Sequence, residues 1–165
     1  MKEAMELMMR ADAIIYEATP DGKRPASIDS TKLYNNIREI ATCMTGLIQS
    51  SIGNTGFDRI AASVERVIPT AAVIAYVMGK PLSFIDIDKR SIQGLMVPGN
   101  VILPVDDIIG SEDKPRKVVN SIVASGGVVK DYVCILDEDR GARAALQKMG
   151  IRAHALLTLS DLFAR

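Results

Sequence analysis

The chain has 165 residues, 48% of them hydrophobic, with 20 Lys and Arg set against 20 Asp and Glu. That length fits one domain with a core of its own, needing neither disulfides nor metal. The zero net charge, the 4% aromatic content and the lack of Trp argue against wholesale binding to nucleic acid or membrane, and against stacking platforms for single strands.

The two cysteines, Cys43 and Cys134, stand in apolar stretches without metal-ligand spacing and read as reduced core residues of a cytoplasmic protein. The single histidine, His154, cannot form a ligand cluster and reads as partly buried and structural. The opening MKEAMELMMRADAII carries acids among its apolar residues, unlike a signal peptide. No apolar run approaches the ~18 residues of a membrane span.

Ala4, Leu7, Met8, Ala11, Ile14 and Ile15 recur at helical spacing and predict an amphipathic first helix. Thr19-Pro20-Asp21-Gly22-Lys23 breaks it with turn chemistry. Asp29-Ser30-Thr31 supplies cap residues, behind which Leu33, Ile37, Ile40, Ala41, Met44, Leu47 and Ile48 keep helical period up to Gly53. Strands and helices then alternate. Phe57–Ser63 reads as a strand, Thr70–Met78 as a helix opened by Pro69 and closed by Gly79, and Leu82–Asp86 as the next strand. Val101–Val105 is short and nearly all apolar, as in a strand buried on both faces. Pro115 opens a helix that Gly126-Gly127 ends. Val128–Leu136 follows as a strand, Asp139–Met149 as a helix, Ile151–Leu157 as a strand and Ser160–Ala164 as a last helical turn.

This alternation predicts an α/β fold: a single domain with a mostly parallel twisted sheet, helices on both faces and a helical N-terminal addition. Residues 1–53 form the helical and hairpin part, and residues 54–165 the α/β core. Ligands of open parallel sheets bind beyond the carboxyl ends of the strands. That singles out the loops Val64–Ile68, Asp106–Lys114 and Asp137–Gly141.

The segment Val101–Lys114, VILPVDDIIGSEDK, resembles the signature of the type I phosphoribosyltransferases: a hydrophobic strand, two acids, two apolar residues and a small-residue loop. Two further stretches narrow the resemblance to the orotate phosphoribosyltransferase-like branch. Phe57–Asp86 looks like its second strand, pyrophosphate loop, helix and third strand, and Ser125–Phe163 like its closing strand–helix–strand. Asp21-Gly22-Lys23-Arg24 sits where that branch has a short basic hairpin. The resemblance implies a phosphoribosyl pyrophosphate donor bound with Mg2+, from which pyrophosphate leaves as a base attacks the ribose. It places Asp106 and Asp107 on the acids that bind ribose hydroxyls. Gly110, Ser111 and Lys114 fall in the loop that cradles the 5′-phosphate at a helix N-terminus. It also implies a homodimer.

Four departures run against that chemistry. Glu112 and Asp113 stand where the phosphate loop has Gly or Thr, so Asp106–Asp113 carries four acids and no base; as residues preceding a helix, they would satisfy its N-terminus themselves. Arg66 and Val67 replace the glycine pair of the pyrophosphate loop; a β-branched valine resists unusual backbone, and Arg66 reads as a surface arginine. Glu138 follows Leu136-Asp137 where the branch has a cation for the orotate carboxylate, with Arg140 two residues on. The catalytic lid shrinks to Ile87–Asn100, with Lys89 and Arg90 but no His.

Three readings stay open. The first is a degenerate phosphoribosyltransferase-like protein of pyrimidine nucleotide metabolism, keeping at most a residual ribose-phosphate or nucleotide site in a regulatory or partner role. The second is an active transferase for orotate or another base, which needs Arg66, Lys89, Arg90, Lys114 and Arg140 to converge. The third is a ligand-free interaction protein, with Met5, Met8 and Met9 of the first helix as partner surface or, more commonly, as core. No catalytic residue is assigned and no resident metal is expected.

Overall fold

In the computed structural model, which describes residues 2–94 and 96–163, the first helix breaks at Asp12, whose φ is 50°. Helix α1 is therefore Lys2–Arg10, burying Ala4, Met5, Leu7 and Met8. Ile14 and Ile15 do not extend it, as their spacing predicts, but begin strand β1 (Ile14–Thr19). Asp tolerates left-handed geometry better than most residues, and periodicity carries no trace of it. Met5 and Met8 are core residues, and Met9 is exposed.

β1 pairs antiparallel with β2 (Gly22–Ile28), so the predicted turn closes a hairpin. Glu17 and Arg24 pair across it. Asp29 accepts a hydrogen bond from the Thr31 N–H at 3.1 Å and caps a 3-10 segment, Ser30–Asn36, that leads into α2 (Ile37–Ser51).

The remaining elements are β3 (Arg59–Ala62), α3 (Ile68–Met78), β4 (Leu82–Asp86), β5 (Ser91–Gln93), β6 (Ile102–Ile109), α4 (Asp113–Ala124), β7 (Asp131–Asp137), α5 (Ala142–Lys148), β8 (Arg152–Thr158) and α6 (Leu159–Phe163). Most boundaries fall within a few residues of the sequence reading. Ala164, included in the last predicted turn, lies outside the described residues. Strand β6 departs most: it runs four residues beyond Val105. Strand β5, unforeseen, occupies the expected lid.

The main sheet has the order β5-β4-β3-β6-β7-β8, parallel except for the edge strand β5. Successive side chains of β3 face opposite ways, as strand geometry requires. Ile60 and Ala62 join a core with α1, α2, α3 and the hairpin. Ala61 joins a second core with α4 and α5. Helices thus cover both faces, as expected. Cys134 is buried in the second core, and Cys43 is partly buried beside the first. His154 Nε2 lies 2.7 Å from Asp131 Oδ1, and Arg152 Nε lies 2.8 Å from the same oxygen. This clamp sits where β7 and β8 begin, far from their carboxyl ends, so the histidine is structural. Among the described residues, no helix is long and apolar enough to cross a membrane.

Ile60 is fully buried in the middle of the sheet, whereas Tyr76 on α3 is 88% exposed. Ile60→Ala lowers unfolding free energy by about 2–5 kcal/mol, and Tyr76→Ala changes it by less than about 0.5 kcal/mol, in urea titrations of both variants.

Candidate functional site

Because β6 extends to Ile109, Asp106 and Asp107 are strand residues in the sheet's interior, both with no exposed surface. Neighbouring residues of a strand point to opposite faces, and the two carboxylates find partners on opposite sides. Asp106 Oδ2 accepts from the Tyr132 hydroxyl at 2.7 Å, within the second core. Asp107 Oδ2 accepts from Ser30 Oγ at 2.8 Å and lies 3.1 Å from Arg66 Nε on the other side. Lys114 spans both: its Nζ is 2.6 Å from Asp106 Oδ1, 3.3 Å from Asp107 Oδ1, and donates to the Ile108 carbonyl at 3.0 Å. The backbone N–H groups of Asp107 and Ile108 fill further lone pairs at 2.8 Å each.

Burial pushes the Asp106 carboxyl up to about 6, and the attraction of Lys114 offsets only part of that cost. Asp107 goes the other way. Burial raises it too, but Lys114 and the hydrogen bonds from its neighbours hold it below the ordinary carboxylate value.

The loop after β6 is closed from within. Gly110 packs against the Glu138 carboxylate so tightly that a methyl group added there would overlap it. Glu138 Oε1 accepts from Ser27 Oγ of β2 at 2.6 Å, and Arg140 lies 3.7 Å from Oε2. The Gly110 carbonyl is taken by the Ala142 N–H at 3.0 Å. Ser111 is exposed beside them. The expectation that Glu112 and Asp113 satisfy the helix N-terminus holds only in part. Asp113 lies in the first turn of α4, but Glu112 makes no capping hydrogen bond and pairs with Arg116 at 2.8 Å.

Val64–Ile68 forms an extended residue followed by a 3-10 turn, Glu65–Val67, with no positive φ. Val67 keeps an ordinary right-handed backbone, which a β-branched residue adopts without strain. Arg66 is half exposed yet turned onto Asp107, and its carbonyl accepts from the Tyr34 hydroxyl at 2.9 Å; the surface reading misses both contacts. Beside it, a cavity of about 710 Å³ opens at the carboxyl ends of β3 and β4, with Arg66 facing Glu65, Asp86 and Asp88 across its walls. Lys89 is held 3.0 Å from Asp86, and Arg90 turns to the far side of the β4–β5 connection.

The structure thus gathers Asp106, Asp107, Lys114 and Arg66 into one cluster and places Gly110 against Glu138 and Arg140. It does not bring Lys89 or Arg90 to that cluster. Sequence reasoning passed over Tyr132, Ser30 and Ser27. A hydroxyl-bearing residue at the start of an apolar run was the available signal for Tyr132; nothing local marks the serines.

The acids do not fit magnesium. Their oxygens already face an ammonium, a guanidinium, two hydroxyls and two amides, and a divalent ion would meet the Lys114 charge at contact distance. Among the described residues, no group of three or more His, Cys, Asp or Glu is arranged to hold a metal.

No family model matches the chain. The bifunctional enzyme PyrF/PyrE of Nostoc sp. is 29% identical over 144 residues, which is 84% of this chain and 30% of that protein. The orotate phosphoribosyltransferase of Saccharolobus solfataricus is 32% identical over 101 residues, 58% of this chain and 51% of that protein. The chain therefore spans about half or less of the length of these curated relatives. The crystal structure of orotate phosphoribosyltransferase from Aeropyrum pernix superimposes with a TM-score of 0.80 at 19% identity, covering 97% of this chain and 96% of that one. Orotate phosphoribosyltransferases predominate among the homologues and structural neighbours, and the fold is that of the type I phosphoribosyltransferases, as the sequence resemblance implied.

Asp106 holds its proton more tightly folded than unfolded, since its carboxyl rises from 3.8 to about 6. Its contribution therefore falls as pH rises from about 4 to about 6, by on the order of 3 kcal/mol, and stays lost above that range. Denaturant titrations across this window show that decline as the difference between the parent chain and Asp106→Asn. Lys114→Met leaves two buried acids without their shared cation and destabilises the fold by about 3–5 kcal/mol at pH 8.

Proposed function

We propose that this chain is an orotate phosphoribosyltransferase-like protein of pyrimidine nucleotide metabolism, acting in the cytoplasm with little or no transferase activity. It keeps at most a residual ribose-phosphate site and serves a regulatory or partner role, as a homodimer. The observation that carries this reading is the closed ion cluster. A ribose needs carboxylate oxygens free to accept its hydroxyls, and here Lys114, Tyr132, Ser30 and Arg66 have taken them. Glu138 adds to it, because a carboxylate over Gly110 repels any phosphate that the loop's amides would attract. An anionic base such as orotate meets the same carboxylate.

The 710 Å³ cavity beside Arg66 favours the alternative of an active transferase, since a donor has room there. Purified protein given phosphoribosyl pyrophosphate, Mg2+ and orotate decides between them by pyrophosphate release. The proposal expects no release above the enzyme-free control. A turnover of ~1 s⁻¹ or more, abolished by Asp106→Asn with Asp107→Asn, overturns it in favour of the active transferase. Sedimentation at micromolar concentration is expected to give twice the mass of one chain.

A further inference from the structure

We infer that the chain carries a separate site for a small organic phosphate, of nucleoside monophosphate size, in the cleft between the β4–β5 turn and α4. The cleft is a partly open groove of about 600 Å³, within the usual range for small-molecule sites. It lies on the α4 side of the sheet; it shares Ile87 and Asp88 with the 710 Å³ cavity, and neither Asp106 nor Asp107 lines it.

Its walls come from two elements that converge. Lys117, Asn120 and Val123 recur at i, i+3 and i+6 along the exposed stripe of α4 that faces the turn. Arg90 and Ile87 come from the turn itself. Arg90 has φ 51°, a left-handed conformation where glycine or asparagine is sterically easier. Its neighbour Lys89 goes the opposite way and is held by Asp86 at 3.0 Å. Adjacent cations are thus divided: one is neutralised at the end of β4, and the other is left over the cleft.

Charge supports an anion. Among the described residues, the ion pairs of this region are Lys89–Asp86 and Arg116–Glu112, and none includes Arg90 or Lys117. Asp88 is the one acid on the rim, so two cations face one carboxylate. A guanidinium offers two parallel N–H groups to phosphate oxygens, and the ammonium adds a mobile charge. The rest of the cleft is not built for a bare inorganic ion. Ile87 and Val123 present apolar surface to a flat ring, and the Asn120 amide offers a donor and an acceptor to its polar edge.

The test is titration of isotope-labelled protein with UMP, AMP and inorganic phosphate, followed by backbone and side-chain NMR. Saturable shifts are expected at Arg90, Lys117 and Asn120, with inorganic phosphate at least tenfold weaker than either nucleotide. Arg90→Asn keeps the left-handed turn while removing the charge, and Lys117→Gln keeps the helix. Together they are expected to weaken nucleotide binding at least tenfold without altering the rest of the spectrum. Three results would overturn the inference: shifts confined to Ser111 and Lys114, unchanged affinity in the double variant, or inorganic phosphate binding as tightly as the nucleotides.

Discussion

Two carboxylates on consecutive residues of a central strand lose their water together and repel each other, and the fold around them depends on what replaces that water. The replacement is the Lys114 ammonium, seated between Asp106 and Asp107 and drawn in from the start of α4. A lone buried charge of either sign is costly, and three charges sharing hydrogen bonds are tolerable. The rest of the arrangement follows from completing that set. Tyr132 supplies a hydroxyl from β7, Ser30 another from the segment behind the hairpin, and Arg66 a second cation from the turn after β3. The turn after β3 is tied to this cluster through Arg66, and the loop after β6 is packed against Glu138.

Unequal solvation of the two acids gives the cluster its character. Asp106 is enclosed by the second core, whereas Asp107, with as many hydrogen bonds, also has the outer arginine. The proton therefore settles on Asp106 first as pH falls, with its titration near 6. The Lys114 charge then belongs mainly to Asp107.

Much of the architecture was legible because apolar periodicity reports it directly. The buried runs of β6 and β7, the helix opened by Pro69 and the glycine stop at Gly79, with φ 62°, all follow from local chemistry. The failures have equally local causes. Ile14 and Ile15 continue a helical phase that one left-handed aspartate ends. The three residues of β5 are too few to show alternation. The end of β6 was hidden because an acid normally signals a strand's exit to solvent. Here the burial of Asp106 and Asp107 rests on Lys114, Tyr132 and Ser30, and two of these lie 26 and 77 residues away. Sequence reasoning named Asp106, Asp107, Lys114 and Arg66 but not Tyr132 or Ser30. It could not see that they bond to one another.

The serine contacts have a consequence for how this molecule assembles. Ser30 reaches Asp107 across 77 residues and Ser27 reaches Glu138 across 111. Such bonds form only after most of the chain has been threaded into place, because loop closure must precede any gain from them. A ribosome-bound chain ending before β7 would hold its paired acids without Tyr132 or Glu138 in place. The closed state of the loops thus draws on residues from both halves of the chain at once.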